Sequence, residues 1–172
     1  KYIFTNVFVV FVFTLLFRGI FYLFFADLEN IPTKEIQKAI LLGLRFDLKL
    51  AVLTFFPLTI LVLIKNYGFF EKNTYKKISS IYIVLSFLIL TLFYVFDFGY
   101  YEYLAIRLDA SSLRFLSNFK ISSQVLMESY PVYKGLFGLI ILCILFYKYS
   151  VFVFHAFSKP QQKIIKKTKA AF

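Results

Sequence analysis

The chain has 172 residues, is 60% hydrophobic with 22% aromatic side chains, and carries a formal charge of +11. That apolar content lies well above the average soluble domain and excludes an ordinary globular fold of this size. In a lipid-solvated protein the positive charge bears on orientation and anionic lipid, and nothing in the sequence interleaves bases and aromatics as an RNA-binding module does.

In chain order, residues 2–25 form an apolar run broken only by Arg18, long enough for a first membrane span. The run is too long for a signal-peptide core and lacks a small-residue cleavage site, so it stays as a helix. Arg18 lies about two turns from its end, where a guanidinium snorkels or pairs. After a short polar connection, Pro32 and Thr33 read as a helix entry, with Thr33 as N-cap and Glu35 in the first turn. Ile36, Ile40 and Leu44 recur every fourth residue, which predicts a short amphipathic helix at the membrane interface. It leads into a second span over about 48–64, with Pro57 inside as a kink.

A polar loop with Lys65, Lys72, Lys76 and Lys77 precedes a third span, 78–96, which has no charge. Residues 97–131 are the only long stretch that is not mostly apolar. They hold Asp97, Glu102, Asp109 and Glu128 against Arg107, Arg114 and Lys120. Ser111 or Ser112, and Ser122 or Ser123, read as caps of two short helices lying on the membrane surface. Pro131 opens a fourth span, 132–154, and the tail 155–172 adds Lys159, Lys163, Lys166, Lys167 and Lys169 with no acid. The fold class is therefore all-α, a polytopic membrane helix bundle of four spans with short interfacial helices. The chain starts at Lys1 and ends as a new apolar run begins, so it reads as a piece of a longer protein with a fifth span following.

The two lysine-rich segments, 65–77 and 155–172, belong on the cytoplasmic side by the positive-inside rule. The N-terminus is then cytoplasmic, and the segment 97–131 faces outward. Tyrosines near both interfaces, Tyr100, Tyr101, Tyr130 and Tyr133 outside and Tyr67, Tyr75, Tyr147 and Tyr149 inside, fit aromatic belts.

The sequence has no HExxH, GxSxG, glycine-rich phosphate loop or CxxC, so no catalytic residue and no metal ligand is assigned. Cys143 is the sole cysteine and His155 the sole histidine; both read as packing or interfacial residues. The group that carries chemistry is Arg18, Arg45, Asp47, Lys49 and Asp97, expected at similar depth near the outer interface. Arg45 and Lys49, four apart, share a helix face that Asp47 does not. Two readings compete. The charges compensate one another and hold the spans together, with Asp47 and Asp97 as partners; or Arg18, Arg45 and Lys49 hold an anionic lipid headgroup. Arg107 and Asp109 are read as structural partners in the outer loop.

At GLRFDLK (43–49) and DFGYYEYLAIRLDASSLRFL…SYPV (97–132) the chain resembles the N-terminal membrane domain of the lipoteichoic acid synthase-like, or phosphoglycerol transferase, branch of the sulfatase and alkaline phosphatase superfamily. The resemblance implies five spans in a bacterial cytoplasmic membrane, followed by an extracytoplasmic catalytic domain. That domain uses a divalent metal and an activated threonine or serine to transfer phosphoglycerol or cleave phosphate or sulfate esters. None of those residues lies in 1–172. The implied partners are membrane lipids, anionic phospholipid among them, and the chain's own catalytic domain, with no nucleic acid. The alternative is a non-enzymatic membrane module, a scaffold or part of a transporter; no inverted repeat or midplane helix break beyond Pro57 favours the transporter.

Overall fold

A computed structural model describes residues 1–25, 32–65, 73–109, 127 and 132–170. Four helices make up the described part: α1 (Tyr2–Phe25), α2 (Thr33–Lys65), α3 (Asn73–Leu104) and α4 (Val132–Ala170). Each contains a stretch long and apolar enough to cross a membrane, the make-up of a multi-pass membrane protein. A helix satisfies its own backbone polar groups, which is what hydrocarbon demands of a spanning segment. The helices run alternately up and down. One end of the bundle holds Arg18, Asp47 and Asp97; the other holds Lys1, Lys76 and His155.

The buried residues fall in narrow stripes. On α1 they are Tyr2, Asn6, Val10, Thr14 and Phe21, close to every fourth residue. On α2 they are Asp47, Ala51, Phe55 and Leu58, with Gly43 one turn earlier. Spacing of four keeps one face toward a neighbour, and small side chains on it let backbones approach closely. α1 packs chiefly on α2, and α3 chiefly on α4. Ser79 and Ser80 on α3 and Ser150 on α4 are buried small residues. The hydroxyls of Ser80 and Ser150 find no partner among the described residues, so their contribution there is size.

Phenylalanine fills the middle. Phe87 stacks on Phe146 with centroids 3.8 Å apart, and Phe13 meets both edge-on at 5.1 and 5.5 Å. Edge-to-face and offset stacking are the favoured aromatic arrangements, each adding about 0.5–1.5 kcal/mol beyond area burial. At the His155 end the seam is polar. The Tyr2 hydroxyl bonds to Ser79 Oγ, Asn6 Nδ2 donates to the Tyr2 carbonyl at 2.9 Å, and Tyr149 donates to Asn6 Oδ1 at 3.4 Å.

Several element boundaries differ from the sequence reading. Residues 33–44 are not a separate interfacial helix; they are the first turns of a continuous α2 of 33 residues, about 50 Å long. No breaker stands between them and the span. The cap is Pro32 instead of Thr33, because the Pro32 carbonyl accepts from the amides of Glu35 at 2.9 Å and Ile36 at 3.3 Å. α3 runs to Leu104, eight residues beyond the expected end, because Phe98 and Tyr101 pack on Phe21 at 5.8 and 4.8 Å. It ends at Ala105, whose φ is 55° and whose amide bonds to the Tyr101 carbonyl at 2.8 Å. α4 continues through the basic tail to Ala170. The two surface helices expected between 110 and 131, and the proline entry at Pro131, lie outside the described residues. Pro57 stands inside α2 without ending it. Its ring removes the amide that would serve the Leu53 carbonyl. One residue on, the Thr54 carbonyl accepts a bond from the Tyr82 hydroxyl of α3.

Candidate functional site

The charged end of the bundle is built from all of α1, α2 and α3. Arg18 extends from α1 to α2 and clasps Asp47 in two parallel bonds, Nε to Oδ2 at 2.7 Å and Nη2 to Oδ1 at 2.8 Å. The Asp47 side chain is 3% exposed and that of Arg18 is 25% exposed. A planar guanidinium against a carboxylate is the strongest geometry an ion pair offers. Gly43, one turn before Asp47, makes room for it: a Cβ there would lie 2.6 Å from Arg18 Nη1 and 2.7 Å from Cζ.

A second pair closes the same end. Arg107 lies beyond the α3 terminus and turns back to Asp97, with Nη2 to Oδ2 at 2.6 Å and Nε to Oδ1 at 3.2 Å. The Leu108 amide donates to the same Oδ1 at 2.9 Å. The Arg107 guanidinium also sits over the Phe21 ring at 4.3 Å, a cation–π contact that links the segment after α3 to α1. Between the pairs, Tyr94 stacks on Phe17 at 4.7 Å. No protein-family model, curated protein or solved structure matches the chain.

The geometry of the site sorts the cations into two kinds. Arg18 and Arg107 are each neutralised by a buried carboxylate. Arg45 and Lys49 are not gathered around Arg18. They flank Asp47 at two residues on either side, about 200° around the helix, and both are exposed. Among the described residues neither forms an ion pair; the Lys49 ammonium lies over the Phe46 ring at 5.7 Å. Asp109 is exposed, two residues past Arg107. Among the described residues no cluster of histidine, cysteine, aspartate and glutamate is arranged to hold a metal. His155 is at the opposite end, its Nε2 2.9 Å from Lys76 Nζ.

Sequence reasoning missed Gly43 and the Asp97–Arg107 pair. The first was signalled by its position four residues before an acid in an apolar segment, hence on the same face. The second depends on a chain reversal after Leu104 that no periodicity announces.

Proposed function

We propose that this chain is the membrane-anchoring and lipid-presenting domain of a sulfatase-like, metal-dependent phosphoglycerol transferase or phospho- or sulfo-ester hydrolase acting outside the bacterial cytoplasmic membrane. The observation that carries the lipid-presenting part is the pair Arg45 and Lys49. They stand exposed on one face of α2, at the level of an ion pair that needs neither of them. Two cations with no carboxylate partner among the described residues, at the end of a membrane bundle, suit a phosphate-bearing headgroup, with arginine as the fork and lysine as the point charge. The enzymatic part rests on the resemblance at 43–49 and 97–132, the two stretches that supply Gly43, Arg45, Asp47, Lys49, Asp97 and Arg107. Lysine distribution supports the orientation, with the Arg18 end outside and the N-terminus cytoplasmic.

On this reading the divalent metal and the nucleophile belong to a catalytic domain beyond residue 172, and this chain supplies position and substrate. The test is steady-state kinetics of the full-length protein with phosphatidylglycerol as the lipid substrate. Arg45→Gln with Lys49→Gln raises the apparent KM for the lipid several-fold without lowering the melting temperature. A KM unchanged by both substitutions overturns the lipid-presenting reading, and absence of any phosphoglycerol transfer or ester cleavage by the full-length wild type overturns the enzymatic one.

A further inference from the structure

α2 and α3 touch only sparingly, and between them lies an open groove of about 300 Å³ lined by Leu50, Leu53, Thr54, Tyr82, Ser86, Ile89, Leu90 and Phe93. We infer that this groove holds one acyl chain of an anionic glycerophospholipid whose headgroup sits on Arg45 and Lys49. The inference rests on the headgroup reading given above and adds the seat of the lipid's tail.

Three features select an acyl chain as occupant. The first is register. Lys49 precedes Leu50 and lies one helical turn from Leu53, so the cationic face of α2 continues directly into the groove wall. A headgroup at Arg45 and Lys49 leaves its chains at the groove mouth. The second is length. The α3 wall runs from Phe93 to Tyr82, roughly 16 Å at 1.5 Å per residue. That is about half the ~30 Å hydrocarbon thickness, the depth of one leaflet. The third is chemistry. The Tyr82 hydroxyl is spent on the Thr54 carbonyl, and the Thr54 hydroxyl donates to the Leu50 carbonyl at 2.8 Å. The walls therefore offer mainly hydrocarbon to whatever lies between them. A transmembrane helix, about 10 Å or more across with side chains, is too wide for a space of this volume.

The experiment is photocrosslinking of the 172-residue chain in nanodiscs. One sample carries phosphatidylglycerol with a diazirine on the acyl chain, and a matched sample carries phosphatidylcholine with the same chain. Adducts are mapped by mass spectrometry. Expected are phosphatidylglycerol adducts concentrated at Leu53, Ser86 and Ile89, at least fivefold above the exposed α1 positions Phe4, Phe8 and Leu16 and above the phosphatidylcholine sample. Filling the groove by Ser86→Leu, or independently by Ile89→Trp, cuts those adducts at least fivefold. Arg45→Gln with Lys49→Gln brings phosphatidylglycerol down to the phosphatidylcholine level. Wild-type adducts spread evenly over all lipid-facing helices overturn the groove. If that even spread occurs while phosphatidylglycerol still labels more than phosphatidylcholine in a manner abolished by the Arg45 and Lys49 substitutions, the headgroup site stands and the groove alone falls. Groove adducts formed equally by both lipids overturn the link between groove and headgroup.

Discussion

Replacing Arg18 by methionine strands the Asp47 carboxylate, whose side chain is 3% exposed, in a low-dielectric seam. Breaking a buried pair by removing one partner costs about 3–5 kcal/mol, because the remaining charge keeps its desolvation penalty without its compensation. The reverse substitution, Asp47→Leu, is milder. Arg18 has a long stem, is already one quarter exposed, and reaches the interface by snorkelling, so about 1–3 kcal/mol is expected. The double variant removes both charges together and lies within about 1 kcal/mol of wild type, since replacing a buried pair by packed apolar groups is often neutral. The coupling energy is therefore about 5 kcal/mol, above the roughly 0.5–3 kcal/mol that most contacting residues show, as a desolvated charge pair requires. Equilibrium unfolding in mixed micelles, titrated with a denaturing detergent and followed by circular dichroism, measures all four corners of the cycle. An Arg18→Met variant within about 0.5 kcal/mol of wild type, or a double variant whose cost is the sum of the singles, would refute the assignment of this pair as the brace between α1 and α2.

Gly43→Ala places a Cβ 2.6 Å from the Arg18 guanidinium and should destabilise by about 1–2 kcal/mol despite the better helix propensity of alanine. In the Arg18→Met background the same substitution becomes stabilising, by up to ~1 kcal/mol; the same detergent titration checks the sign change. Ala105 occupies the left-handed position after α3 that glycine normally takes, so Ala105→Gly should stabilise by about 0.5–1 kcal/mol, whereas Ala105→Val should destabilise, both read by thermal melting. For the proposed orientation, a membrane-impermeant maleimide applied to intact cells labels Ser112→Cys and leaves Asn73→Cys unmodified. The opposite pattern reverses the topology.

The four spans were legible because hydrocarbon imposes length and apolarity on any segment that crosses it, and residues 2–25 and 132–154 satisfy both without a charged interruption beyond Arg18, Lys134 and Lys148. Arg18 announced its need for a partner in the same way. The choice between Asp47 and Asp97 was not legible, since it depends on which face of α2 meets α1. That face is fixed by Gly43, Ala51 and Phe55 acting together. The end of α3 was misread because Tyr100, Tyr101 and Glu102 look like loop residues in a hydropathy profile, yet nothing in them opposes a helix. Tertiary contacts with Phe21 and Phe25 carry α3 on to Leu104. The fusion of residues 33–44 with the second span escaped for a related reason. A change from amphipathic to apolar pattern marks where a helix enters lipid, and does not mark where it ends. Arg45 and Lys49 were correctly set on a different face from Asp47 by spacing alone, but the expectation that they would gather with Arg18 ignored what that spacing implies.

The most direct test of the account is the lipid selectivity of the Arg45–Lys49 face. The purified chain in zwitterionic nanodiscs is titrated with spin-labelled phosphatidylglycerol or phosphatidylcholine, and the fraction of motionally restricted lipid is read by electron spin resonance at low and high salt. The account predicts association of the anionic lipid about fivefold or more above the zwitterionic one. This preference weakens as salt screens the charges, disappears in Arg45→Gln with Lys49→Gln, and survives in the Arg18→Met, Asp47→Leu double variant. Equal association of the two lipids with the wild-type chain, or a preference lost with the Arg18–Asp47 pair and kept without Arg45 and Lys49, would contradict it.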